Sequence, residues 1–287
     1  VFLAGNIFTQ LFFNLNAMLR SSAAPQKAMI ATIGMVFIVV ILNPIFIFGL
    51  KMGMRGSALA TVLSQGIMLC YQLHHFYNKN NCIYFQKGIF KLRWNMISKM
   101  MSIGLSPFFM NLTACMVVII ITNSLTRYGG DVAVGAYGII NRFLFFFVMI
   151  VIGLMQGMQP IVGYNFGAKL YNRAFKALKL SIMFATFISV IGFLLGEFFP
   201  DMITSMFTTD KQLTEIAASG MRIMMMAVPL LGIQVISTGF FQSIGYVKTA
   251  IFLSLLRQLI LIIPALLVFP LFFGLNGIWM SIPVSDT

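Results

Sequence analysis

Arg142 and Arg257 stand inside long apolar runs, about ten and about nine residues from the nearest loop, which is roughly 14 Å deep at the rise of a helix. A charge at that depth in lipid costs a few kcal/mol and faces a cavity or a partner, unless it snorkels or packs on helix carbonyls. The sequence places no acidic residue deep enough to pair with either. The same runs hold uncharged amides: Asn111, Asn123, Asn141, Gln156, Gln159, Asn165, Gln234, Gln242 and Gln258. Such groups bind rather than catalyse, because an amide offers a neutral oxygen and N–H donors but no titratable proton. As glue between helices they need no ligand. Gathered with Pro107, Pro160, Pro229 and Pro264, they equally suit a water-filled cleft walled by bent helices.

Enzymatic chemistry finds no footing. No His-x-x-x-His, phosphate-cradling loop or nucleophile elbow is present. His74 and His75 fall at the end of an apolar run, where paired histidines are interfacial. Cys70, Cys82 and Cys115 have neither a disulfide nor a zinc spacing. No resident cofactor is expected. The 22 methionines and 30 phenylalanines are lipid-facing or core residues first. Flexible Met and flat Phe surfaces also suit promiscuous binding of apolar cations.

The elements that must carry these residues are membrane helices. Over 287 residues, 60% are hydrophobic and only 9% charged, against roughly a quarter charged in a soluble domain. Apolar runs near 28–48, 56–77, 98–124, 133–156, 177–199, 217–243 and 248–272 are long enough to cross a bilayer core, which takes about 20 helical residues. A partial span is expected at 1–19 and another from Gly277. Val1 and Thr287 both fall inside apolar runs, so the chain reads as a fragment of a longer reading frame. Barrel strands are excluded where Met35–Leu42 and Phe143–Ile152 are apolar on every face.

Nineteen basic against six acidic residues would suggest nucleic acid in a soluble protein. Here the excess lies in alternate loops. Arg20 and Lys27, then Lys79, Lys87, Lys91, Arg93 and Lys99, then Lys169, Arg173, Lys176 and Lys179, then Lys248 define one side. The other side has Lys51, Arg55, Arg127, Lys211 and Arg222, together with most of the acids. The first set is therefore expected in the cytoplasm of a multi-pass cell-membrane protein with no nucleic-acid partner. Phe85, Phe90 and Trp94 among the basic residues of 79–97 suit a helix lying on the inner interface.

An ungapped shift of 221 residues pairs Lys27 with Lys248, Gly53 with Gly274, Gly56 with Gly277, Ser22 with Ser243 and Ser64 with Ser285. The shift covers six crossings, so both copies point the same way. The fold class expected is an all-α polytopic membrane protein of two six-helix bundles, related by a parallel pseudo-two-fold repeat and truncated at both ends. Residues 1–78 form part of the first lobe, 79–97 a cytoplasmic connection and 98–287 the second lobe. The glycine pairs are expected to let the chain turn into the next span.

The stretch Gly153-Leu-Met-Gln156-Gly-Met-Gln159-Pro160-Ile-Val-Gly163-Tyr-Asn165-Phe-Gly167-Ala168-Lys169 resembles the close of the eighth helix in multidrug and toxic compound extrusion transporters. Tyr128-Gly129-Gly130-Asp131, Arg142, Phe241-Gln242-Ser-Ile-Gly245, Arg257 and Asn43-Pro44 fit the same pattern. The resemblance runs nearly end to end, from late in the fourth helix to early in the twelfth. It implies a V-shaped, monomeric transporter in the bilayer, exporting small amphipathic organic cations by alternating access in exchange for Na+ or H+. The alternative is a flippase for a lipid-linked glycan, in which Arg142 and Arg257 would meet a pyrophosphate. Many members build a cation site from acids and an Asn-x-x-x-Asp-Pro; here those positions are Val39 and Asn43, with Thr61 retained. Asn43 and Thr61 are thus a degenerate cation site, and the resemblance places the coupling acid on the family's first helix. Asn111, Asn141, Arg142, Gln156, Gln159, Gln234, Gln242 and Arg257 are the expected substrate contacts.

Overall fold

The computed structural model describes residues 2–22, 24–78, 84, 94–246 and 260–286. They are helical almost throughout and fall into two units, Val1–Arg93 and Trp94–Thr287.

In the first unit, α1 (Phe2–Ser21), α2 (Pro25–Pro44) and α3 (Gly53–Tyr77) pack on one another. Pro25 opens α2, where its missing N–H has no ladder partner to lose. Leu15, Leu19, Ala28, Leu69 and Phe76 form one core cluster, and Phe12, Ala31 and Met68 a second. Alanine at 28 and 31 lets α2 approach closely, whereas Val36, Phe37 and Val40 are exposed, as a lipid-facing surface requires. The helix ends in a wide π turn, Ile45–Gly49, before the chain reverses.

The second unit begins with α4 (Trp94–Gly167), broken at Gly130, whose φ of 66° and ψ of −166° no L side chain adopts readily. Then come α5 (Tyr171–Phe198), the short α6 (Pro200–Ser205), α7 (Lys211–Met225), α8 (Val228–Ser243) and α9 (Ile263–Asp286), itself broken at Gly274. Both arms of α4 enter one core: Ile121 and Leu125 from the first, Ile140 from the second, with Met221, Met225 and Trp279. A straight helix would hold residues 121 and 140 roughly 28 Å apart. A second core joins Val151 and Val162 of α4 with Ala185 of α5 and Ile236 of α8. Small residues set the spacing: a Cβ on Gly232 would come 2.7 Å from Ser189 Oγ and 2.9 Å from the Ala185 carbonyl.

The expected spans near 28–48 and 177–199 are matched by single helices, whereas residues up to 259 of the span expected near 248–272 lie outside the described residues and the helix that follows runs on past Gly277. The spans near 98–124 and 133–156 are not separated by a loop, because helix runs up to Gly130 and resumes at once. The span near 217–243 is two helices bent by 53°, with Pro229 in the first turn of the second. Among the described residues, Pro25–Gly49, Phe108–Gly167, Tyr171–Phe198 and Ile260–Ser285 are long and apolar enough to cross a membrane, and the bent pair makes a fifth. Helices α1 and α3 fall short of that mark because they carry polar residues such as Asn14, Asn16, Gln65 and Gln72. The interfacial helix expected around Lys87 lies outside the described residues, except Tyr84 and the exposed Trp94 that opens α4.

The turn after α2 and the break in α9 share their geometry. Gly53 and Gly274 both take positive φ, 54° and 57°. A Cβ on Gly56 would meet the Phe46 carbonyl oxygen at 2.8 Å, and one on Gly277 would meet that of Phe269 at 2.4 Å. Upstream, Ser22 Oγ donates to the Leu19 carbonyl at 3.1 Å and Ser243 Oγ to that of Phe240 at 2.7 Å. Gly53 and Gly274, and Ser22 and Ser243 with their carbonyl partners, stand 221 residues apart and take like local geometry, whereas the carbonyls beside Gly56 and Gly277 stand 223 apart.

Candidate functional site

In the second unit, three helical segments bring polar groups together. Gln159 Nε2 on the second arm of α4 donates to Gln242 Oε1 on α8 at 3.4 Å. Gln242 Nε2 in turn points to Met110 Sδ on the first arm of α4, 3.8 Å away. The approach depends on a small residue: a Cβ on Gly239 would collide with Met155 at 2.3 Å. Pro160, beside Gln159, contributes no N–H to the ladder, yet helix continues through it to Gly167. The pair is long, neutral and half-buried, so it can exchange partners with a ligand at modest cost.

The remaining expected contacts sort by burial. Gln156 and Gln234 are half-buried, whereas Asn111, Asn141 and Arg142 are exposed. Arg257 and Gln258 lie outside the described residues. Among the described residues the ion pair is Arg222 with Asp201, at 3.8 Å and open to solvent, a contact worth at most about 1 kcal/mol.

The first unit has a polar interior of its own. Asn43 Oδ1 is buried with no hydrogen-bond partner, while the Thr61 hydroxyl donates to the Ser57 carbonyl at 3.0 Å. The two residues of the degenerate cation site are therefore not joined by a hydrogen bond. Below them, the Thr9 hydroxyl donates to Gln65 Oε1 at 2.6 Å, tying α1 to α3. Asn16 Nδ2 reaches the Ala28 carbonyl and Thr32 Oγ1, at 3.0 and 3.1 Å, tying α1 to α2. Gln72 is fully buried with both amide atoms unpartnered. At the end of α3, Lys27 Nζ donates to His75 Nδ1 at 2.8 Å, so that nitrogen is unprotonated and His75 ties the end of α3 to the start of α2. Among the described residues no three His, Cys, Asp or Glu side chains gather as a metal site.

Thr9, Asn16, Gln65 and Gln72 do not stand out in the sequence as site candidates. Their signal is spacing: 9 and 16, and 65 and 72, stand seven residues apart, which returns each pair to one helix face. Glu197 is equally inconspicuous. It lies one residue from the end of α5, so it is not a deep carboxylate, yet its Oε2 is buried and without a hydrogen-bond partner.

The MatE family profile matches residues 107–267. This chain belongs to the MatE family. Among curated MatE relatives, it is 29% identical over 280 residues to the multidrug export protein MepA of Staphylococcus aureus (strain bovine RF122 / ET3-1). That alignment covers 98% of this chain and 61% of MepA, so the chain spans about three fifths of such relatives. A crystal structure of MATE in complex with MaL6 superposes with a TM-score of 0.91 at 20% identity, over 99% of this chain and 64% of that one. An outward-facing multidrug resistance MATE transporter of the MOP superfamily gives 0.87 at 19% identity, over 95% and 61%. The MatE fold and a multi-pass membrane setting follow. The specific motif around Gln156 to Gly167 lies within the matched residues, and so does the Gln159–Gln242 contact.

Proposed function

We propose that this protein exports amphipathic organic cations across the cytoplasmic membrane by alternating access, in exchange for Na+ or H+. The observation that carries the reading is the neutral Gln159–Gln242 contact beside Met110, set in an apolar unit of a transporter family. A cation in such a site meets amide oxygens and a polarizable sulfur, with no fixed positive charge among Gln159, Gln242 and Met110. Gln156 and Gln234, both half-buried, are proposed to extend that surface, with the exposed Asn111, Asn141 and Arg142 as further candidate contacts; Arg257 lies outside the described residues. The duplicated turn at Gly53 and Gly274 supports two six-helix bundles related by a parallel pseudo-two-fold axis, residues 1–78 belonging to the first and 98–287 to the second. Ion coupling falls to the Asn43 and Thr61 region together with a carboxylate elsewhere, because a neutral amide neither takes a proton nor balances a bound sodium ion.

Ethidium fluorescence polarisation with the purified protein tests this. Binding that weakens in Na+ or at low pH is expected. Gln159→Leu and Gln242→Leu should each weaken it about fivefold, as loss of one ordinary hydrogen-bonding group does. Indifference to ethidium combined with capture of a lipid-linked pyrophosphate would sink the cation reading in favour of the flippase.

A further inference from the structure

We propose that Asn16 is a partner-exchange switch in the first unit, moving between hydrogen bonds to α2 and a hydrogen-bonded pair with Gln72 of α3. Helices α1 and α3 run side by side in the same direction, and their contacts keep one register. A Cβ on Gly5 would meet Val62, and Thr9 bonds to Gln65. Further along, Phe12 shares a core cluster with Met68, and Leu19 shares one with Phe76. Thr9 and Gln65 stand 56 residues apart, and so do Asn16 and Gln72. Seven residues carry each helix roughly 10.5 Å onward and return it to within about 20° of the same face. Asn16 and Gln72 are therefore the next pair level with each other in the α1–α3 seam. Both are buried, at 5% and 0% exposure.

At the first level the seam is bonded; at the second it is not. Asn16 turns its Nδ2 to the Ala28 carbonyl and Thr32 Oγ1 of α2, and both polar atoms of the Gln72 amide are without a hydrogen-bond partner. Two amides can pair reciprocally, the oxygen of each accepting from the nitrogen of the other. An Asn16 side chain turned to α3 would thus give Gln72 a donor and an acceptor together. Its departure strands nothing on α2, because the Thr32 hydroxyl donates to the same Ala28 carbonyl at 3.0 Å and keeps both groups paired. Asn16 gives up two bonds on α2 and gains two on α3, and a near balance of that kind is what a bistable element requires. The exchange hands α1 from α2 to α3. In the second arrangement α1 and α3 are tied at two successive levels, and α2, the helix that carries Asn43, loses its Asn16 tie to α1. The two arrangements assume nothing about cargo; their use, freeing the Asn43 helix in one half of the cycle, rests on the alternating-access reading above.

Thermal unfolding of the purified chain in detergent, with no ethidium present, tests the exchange apart from that reading. In the parent, Gln72→Met should raise the Tm by a few degrees, because Asn16 keeps its bonds to α2 and the unmet amide is gone. In a Thr32→Val background Asn16 has one acceptor fewer on α2 and turns to Gln72, so the same Gln72→Met change should lower the Tm. A rise of equal size in both backgrounds would overturn the proposal. NMR of isotopically labelled glutamine side-chain nitrogens gives a second reading, with the Gln72 signal assigned by its loss in Gln72→Met. Thr32→Val should shift that signal, and adding Asn16→Ala should abolish the shift. A Gln72 signal that ignores Thr32→Val, or that shifts equally without Asn16, would overturn the proposal as well. Failure of ethidium to bind would sink the export reading and leave both of these measurements untouched.

Discussion

The Gln72 amide is fully buried, and neither its oxygen nor its nitrogen has a hydrogen-bond partner among the described residues. A buried amide group left in that state costs about 1–3 kcal/mol. Gln72→Met keeps the length of the side chain and removes the unmet polarity, so unfolding in detergent should shift to higher stability by about 1 kcal/mol or more. A destabilised variant would mean that the amide has a partner, and that the site is an occupied polar one. The Gln159–Gln242 contact makes the opposite case. Helix-to-helix hydrogen bonds in membranes average only about 0.6 kcal/mol, so a double-mutant cycle with Gln159→Leu and Gln242→Leu should return a coupling of that size. A coupling near zero would leave the two glutamines as neighbours without an interaction. Both residues stand out in the sequence as polar groups in apolar runs, but their pairing does not, because it joins positions 83 apart through the packing of Gly239 on Met155. Gln72 is harder to see, since an amide in a helix that also carries Gln65, His74 and His75 reads as part of a wet face.

Helix breaks are the least legible elements. The stretch from 108 to 167 contains good helix formers on both sides of Gly129-Gly130, and composition alone suggests a loop there. The structure needs only one residue, Gly130, in a conformation confined to glycine. The bend between α7 and α8 is hidden for a related reason: Pro229 signals a break, but in the first turn of a helix it costs nothing, and the chain turns just before it. The glycine pairs of the internal repeat are legible because a recurring spacing is visible without any knowledge of the packing. Gly130→Ala and Gly274→Ala should each lose about 1–3 kcal/mol of stability, from the positive φ that each demands. Gly138 is helical, and a methyl group added there would have nothing within 4 Å. Gly138→Ala should therefore gain roughly 0.5–1 kcal/mol, and chemical unfolding of the three variants side by side separates the two outcomes. If all three behaved alike, the breaks would not be fixed by backbone conformation.

The membrane class can be read from the whole chain because lipid imposes one rule everywhere: backbone polarity must be met inside each helix. The direction of the chain rests on charge alone. The basic turn at Lys169–Lys179 and the acid-bearing segment from Glu197 to Glu215 lie at opposite ends of α5, a 28-residue helix about 42 Å long. That length exceeds a bilayer core of about 30 Å, so the two ends must surface on different sides if the helix crosses. In a background with Cys70, Cys82 and Cys115 replaced by Ser, Lys176→Cys should react with a membrane-impermeant maleimide only after the cells are opened. Lys211→Cys, in the exposed first turn of α7, should react in intact cells. In the first unit, Arg55→Cys should follow Lys211→Cys, because both stand on the side with fewer basic residues. Reversal of all three would invert the protein. Equal labelling of Lys176→Cys and Lys211→Cys from outside would mean that α5 does not cross at all, and the account of the second unit as a set of membrane helices would fail with it.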